Sequence, residues 1–153
     1  MEEFRRGVRP DPRRPASAAV GCASAAPEAP AARAESALRL REEGFRALKI
    51  RIDRNRVEEG IAAVAATRKA VGDSMAIMVD LNQGWRMAGD IARGLDPVGA
   101  RSIAARLREL DVTWVEEPLA GSDLRGLAEL RRASGVRIAG GEMTRTFAEG
   151  LAA

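Results

Sequence analysis

The sequence predicts an α/β fold of parallel strands joined by helical crossovers. Two observations lead there. From about residue 35 onward, strand-like runs alternate with stretches of helical period in the order α-βα-βα-βα-β-α, which implies parallel strands and right-handed connections. Three of those runs also end alike. Residues 77–82 end on Asp80 and Asn82, residues 112–117 on Glu116 and Glu117, and residues 136–142 on Glu142. In a (β/α) barrel, the C-terminal ends of the strands form the face that carries the chemistry.

The elements follow in order. Residues 36–43 read as a short helix stopped by Gly44. Residues 45–52 alternate, with Leu48, Ile50 and Ile52 on one face and Lys49 and Arg51 on the other, the period of a strand. Val57, Ile61, Val64 and Val71 share one helical face, and Gly72 ends that helix. After the strand at 77–82, residues 83–96 contain three glycines and mixed charge and read as a long loop. Trp85, Met87, Asp90 and Arg93 within it could choose a substrate or simply be solvated. Asp96-Pro97 is a cap followed by a first-turn proline, and Ile103, Leu107 and Leu110 face inward from the helix it opens.

Val112, Trp114 and Val115 favour a strand. Pro118 ends it and should force Glu117 into an extended conformation. Trp114 reads most simply as core. Ser122 or Asp123 can cap the next helix, which turns Leu124, Leu127 and Leu130 inward and closes at Gly135. A last strand reaches Glu142, and residues 146–153 begin another helix.

Residues 1–34 differ. They hold five of the seven prolines, six arginines and much Ala and Ser, with no sustained period. Such a composition buries too little apolar surface to order itself, so a disordered segment 1–34 is expected ahead of a domain 35–153. A transit peptide or a mis-started reading frame are the other readings; Glu2, Glu3 and Asp11 argue against the former.

Composition excludes several chemistries. The chain of 153 residues has no His, which rules out a His general base, a Ser-His-Asp triad and His-ligated zinc within it. Cys22 is the single cysteine, so no internal disulfide forms, and its Ala/Ser surroundings suggest an inert thiol. The net charge of +3 comes from arginines spread along the chain, a poor footprint for nucleic acid. No apolar run approaches the roughly 20 residues that span a bilayer, so no membrane partner and a cytoplasmic location are expected.

The strand-end acids carry the functional reading. Two adjacent carboxylates at the end of a buried strand are costly unless positive charge meets them. Three on one magnesium, with positions left for substrate oxygens, would make a Lewis-acid site. Such a site could stabilise the enediolate formed when a proton leaves the carbon beside a carboxylate. Lys49 and Arg51, on one strand face, would add positive charge or handle protons. Each acid alone could equally be a helix cap or a solvated loop residue.

The set Lys49-Ile-Arg51, Asp80-Leu-Asn82-Gln83, Val115-Glu116-Glu117-Pro118 and Gly141-Glu142 resembles the barrel domain of the mandelate racemase/muconate-lactonising branch of the enolase superfamily, over about residues 36–153. The resemblance implies a partial TIM-type (β/α) barrel of about four units. It implies Mg2+ held by Asp80, Glu116 and Glu142, with Glu117 as a hydrogen-bonding partner behind the ligands and Asn82 near the substrate. Lys49 matches the first Lys of the family's Lys-x-Lys motif and, with Arg51, fills the catalytic positions. The implied substrate is a small carboxylate, a sugar acid, and full-length relatives are expected to be homo-oligomers.

Three departures qualify this. Arg51 stands where the family often has a basic Lys, which speaks against two-base racemisation. The connection after Asp80 is longer than in compact members, and its Gly-Trp-Arg-Met-x-Gly-Asp run resembles acid-sugar dehydratases. The strands carrying the family's His–Asp pair, and its capping domain, have no counterpart among these residues. The expectation is a sugar-acid dehydratase, with a racemase or epimerase as the alternative. A chain of this length is expected to be inactive by itself, or to be a non-catalytic remnant, since a closed barrel takes eight strands and about 250 residues.

Overall fold

The computed structural model describes residues 20–23, 29–84 and 95–142. These residues form a five-stranded parallel sheet in the order β1-β2-β3-β4-β5, with helices between successive strands. The strands are β1 (Val20–Ala23), β2 (Ala47–Arg51), β3 (Ala76–Asp80), β4 (Val115–Glu116) and β5 (Ile138–Ala139). The helices are α1 (Pro30–Glu42), α2 (Val57–Val71), α3 (Pro97–Glu109) and α4 (Leu124–Ser134). Strand order equal to chain order, with every pair parallel, is the topology of a (β/α) barrel sector.

The N-terminal region departs from expectation. β1 lies inside the segment expected to be disordered and pairs with β2, Val20 opposite Ala47 and Ala23 opposite Ile50. Backbone pairing needs no side-chain period, so composition gave no sign of it. α1 starts at Pro30, six residues ahead of the expected start. Proline suits a first helical turn, and the alanines that follow are strong helix formers. The expected division at residue 34 therefore falls inside a helix. Gly44, with φ of +96°, takes the left-handed turn that releases the chain into β2.

Alternation sorts the sheet's two faces. Leu48, Ile50 and Ile52 join Ile77, Val79, Leu81 and Val115 in one core, which Ile61 and Val64 of α2 and Ile103 and Leu107 of α3 cover. α3 opens as expected: the Asp96 carboxylate accepts the Gly99 amide at 2.7 Å. Asp123 caps α4 in the same way at 2.9 Å, and Gly135 closes it in the left-handed region. On α4, Leu130 is buried and Leu127 partly so, but Leu124 at the first turn is exposed, against expectation. The expected strands shorten to Val115–Glu116 and Ile138–Ala139, although hydrogen bonds such as Leu81 N–H to Glu116 O and Glu117 N–H to Ala139 O continue past them. Residues 85–94 of the long loop and the helix expected at 146–153 lie outside the described residues. No described helix is long and apolar enough to cross a membrane.

One contact fixes the seat of α2. A Cβ built on Gly60 would lie 2.5 Å from Ile52 Cγ2 and 2.8 Å from Cγ1. Ile52 is fully buried and stiff at χ1, so it cannot yield. Gly60→Ala gains up to about 1 kcal/mol of helix propensity and loses about 1–3 kcal/mol to overpacking. A net destabilisation of about 1 kcal/mol is expected, read as a lower urea midpoint with an unchanged slope.

Candidate functional site

The face of the sheet opposite the helical core is where the polar residues gather. Register places Arg51 opposite Asp80 and Asp80 opposite Glu116, so three strand ends stand side by side. Lys49 and Met78 lie two residues earlier on β2 and β3 and face the same way, and Trp114, just ahead of β4, turns its indole N–H to Glu116.

Asp80 is almost completely buried, and both of its carboxylate oxygens are engaged. Oδ2 accepts Nε of Arg51 at 3.1 Å and Nη2 at 2.8 Å, and Oδ1 accepts the Asn82 amide at 2.8 Å. Glu116 is half-buried; its Oε1 accepts Lys49 Nζ at 2.8 Å and its Oε2 faces the Trp114 indole N–H at 3.4 Å. Trp114 is thus half-buried at the site rather than in the core. Its spacing of two from Glu116 in an extended run was the available signal.

Glu117 also differs from expectation. Its φ is +46°, in the left-handed region, not extended. Pro118 disfavours the right-handed helical region for the residue before it, and two backbone bonds fix the alternative. The Glu117 amide donates to Ala139 O at 2.9 Å, and its carbonyl accepts the Gln83 amide at 2.8 Å. Asn82, half-buried, is left-handed too, with φ of +51°. The Glu117 side chain is 4% exposed, and its Oε2 has no hydrogen-bond partner. Gly84 sits against it: a Cβ there would meet the Glu117 carboxyl carbon at 2.6 Å.

Burial, then the carboxylates of Glu142, Asp80 and Glu116, push the Glu117 carboxyl up to about 7. All three expected metal ligands therefore act on one buried acid. Glu142 itself is exposed just past β5, within hydrogen-bonding reach of Glu117. Among the described residues no three acids already stand in metal-binding geometry. Asp80 and Glu116 are turned instead toward Arg51 and Lys49.

Gln83 braces the exit of β3. It is buried, donates to Leu81 O at 2.6 Å and accepts the Leu95 amide at 3.2 Å, so it ties the exit of β3 to the far end of the long connection. Nothing in its sequence context marked that role, because its partner lies twelve residues away.

The sequence profile described as "Enolase C-terminal domain-like" matches residues 32–152. The chain belongs to this family. It is a member of the mandelate racemase/muconate-lactonising branch of the enolase superfamily. Among its relatives, 3,6-anhydro-alpha-L-galactonate cycloisomerase of Streptomyces coelicolor is 39% identical over 104 residues, 68% of this chain and 26% of that protein. L-talarate/galactarate dehydratase of Salmonella typhimurium is 33% identical over 109 residues, 71% of this chain and 25% of that protein. A crystal structure of a racemase from Streptomyces coelicolor A3(2) with bound magnesium superposes with a TM-score of 0.71 at 33% identity, covering 85% of this chain and 36% of that one. This member of the enolase superfamily thus spans about a quarter of the length of the curated relatives it matches.

The residues present fit a magnesium ion. The candidate donors are all carboxylate oxygens, the ligand type that ion prefers. The Glu117 oxygen left without a partner, and the upward push on its carboxyl, record a crowd of acids short of positive charge.

Proposed function

We propose that this chain carries the metal-binding strand ends of a magnesium-dependent enzyme that removes a proton from the carbon beside a carboxylate, acting on a sugar acid as a dehydratase. The juxtaposition of Asp80 and Glu116 at neighbouring strand ends, faced by Arg51 and Lys49, is the observation that supports it most.

Asp80, Glu116 and Glu142 would hold the ion, with Glu117 behind them. Bound there, Mg2+ would supply the positive charge that makes loss of such a proton affordable. Arg51 and Lys49 would bind and orient the substrate carboxylate. Lys49 can also exchange a proton when its ammonium is deprotonated, whereas Arg51 stays charged and can only donate. One proton-exchanging side chain on this strand suits elimination better than racemisation, which moves a proton between two faces. Asn82, half-buried beside Asp80, would contact a substrate hydroxyl. The dehydratase and cycloisomerase relatives, by their names, act on sugar acids, which supports that substrate class. Racemisation or epimerisation is the second reading, and the likeness to the Streptomyces racemase favours it.

Magnesium titration followed by thermal melting tests the metal reading. At a hundredfold excess over the dissociation constant, binding adds about 2.7 kcal/mol, a midpoint rise of about 5–10 °C for a chain of this size. Glu116→Gln should abolish the rise. An unchanged midpoint in the parent chain would leave a non-catalytic remnant as the better account. With the metal reading secure, a panel of sugar acids assayed for 2-keto product separates dehydration from epimerisation.

A further inference from the structure

We propose that Lys49 and Arg51 are resident cations of the metal-free site, and that their pairs with Glu116 and Asp80 set how tightly a divalent ion is held. The inference rests on the magnesium reading above and deepens it.

Asp80 is the starting point. A carboxylate this deeply buried needs a positive partner to remain charged. Arg51 meets that need by placing two N–H groups on one oxygen. Lys49 does the same for Glu116 with a single ammonium. Two of the strand-end carboxylates are therefore paired with cations before any metal arrives.

These pairs do not block an ion sterically. Each carboxylate oxygen has two lone pairs, and the contacts described use one on most of them. What the cations change is the field. Asp80, Glu116, Glu117 and Glu142 supply the negative charge, and Lys49 and Arg51 offset part of it. A divalent ion entering beside them is attracted by the acids and repelled by the two residents. Removing a resident should strengthen metal binding while stripping a buried carboxylate of its partner in the metal-free state. Arg51 stays protonated at any working pH, so its share of the repulsion is constant.

The signature is a pair of opposite signs. In Arg51→Met, metal-free stability falls and magnesium affinity rises at least tenfold. A purely structural role for Arg51 would lower both, because a distorted site holds metal less well. Lys49→Met should behave alike with a smaller loss of stability, since Glu116 is nearer solvent than Asp80. Arg51→Lys, which keeps the charge, should stay within about threefold of the parent affinity.

The test is calorimetric titration of MgCl2 into the parent chain and these variants, with melting curves in chelator and in magnesium. Should Arg51→Met not fold without metal, Lys49→Met and Arg51→Lys carry the comparison. Affinity unchanged or weaker in every charge-removing variant that folds, with the parent still binding, overturns the proposal and leaves the metal reading standing. Absence of magnesium binding in the parent chain as well removes both.

Discussion

Replacing Arg68 by Ala is expected to destabilise the fold by about 3 kcal/mol. The Arg68 side chain is 15% exposed and donates to four backbone carbonyls. Nη1 donates to Gly72 O at 2.7 Å and Met75 O at 3.0 Å, Nε to Leu110 O at 3.1 Å, and Nη2 to Asp111 O at 2.8 Å. Those carbonyls belong to the end of α2, the entry to β3 and the end of α3. One side chain therefore ties three elements together at the end of the sheet where β3 begins, opposite the strand ends that carry the site. A hydrogen bond to a charged group contributes about 1.5–3 kcal/mol. The four are not additive, and water replaces part of the loss at the rim. About 3 kcal/mol remains, a fall of roughly 10 °C in melting midpoint for a chain of this length. Arg68→Lys should recover less than half, because one ammonium cannot reproduce the planar fork that spans Gly72 and Asp111. Magnesium binding to folded Arg68→Ala should be unchanged, since none of these groups faces the strand-end acids.

The alternation of Leu48, Lys49, Ile50, Arg51 and Ile52 was enough to put the two cations on the face opposite the core, because a period of two is a local property of a strand. Asp96 and Gly135 were legible for a similar reason: caps act within three or four residues. What escaped the sequence was long-range or independent of side chains. β1 is held by backbone pairing to β2, which a Val-Gly-Cys-Ala run does not advertise. The left-handed turn at Glu117 depends on bonds to Ala139 and Gln83, far away in sequence, and local reasoning from Pro118 alone gave the wrong conformation. The close approach of Gly84 to the Glu117 carboxyl belongs to the same class. A glycine in a loop has many explanations until its neighbour across the sheet is known.

In the presence of chelator, the metal-free chain is expected to lose stability between pH 5 and pH 8, and Glu117→Gln is expected to remove most of that loss. The Glu117 carboxyl has an ordinary value of 4.5 when the chain is unfolded and is pushed up to about 7 when it is folded. Below 4.5 both states hold the proton, and the group has no effect on folding. Between 4.5 and 7 the unfolded chain releases its proton while the folded chain keeps it, so each step upward in pH favours unfolding. Above 7 the folded state must also ionise Glu117, among Glu142, Asp80 and Glu116, and the loss is complete. The full shift corresponds to about 1.4 kcal/mol per pH unit. Relaxation and solvent at the open rim reduce it, and about 2 kcal/mol is expected. The window is favourable for the measurement because the chain has no histidine, the side chain that ordinarily titrates there. Chemical denaturation of the parent chain and Glu117→Gln at pH 5 and pH 8 reads the difference. Parallel pH dependences in the two would mean that the buried acid does not titrate in this range, and that the carboxylates do not crowd one another as their positions imply.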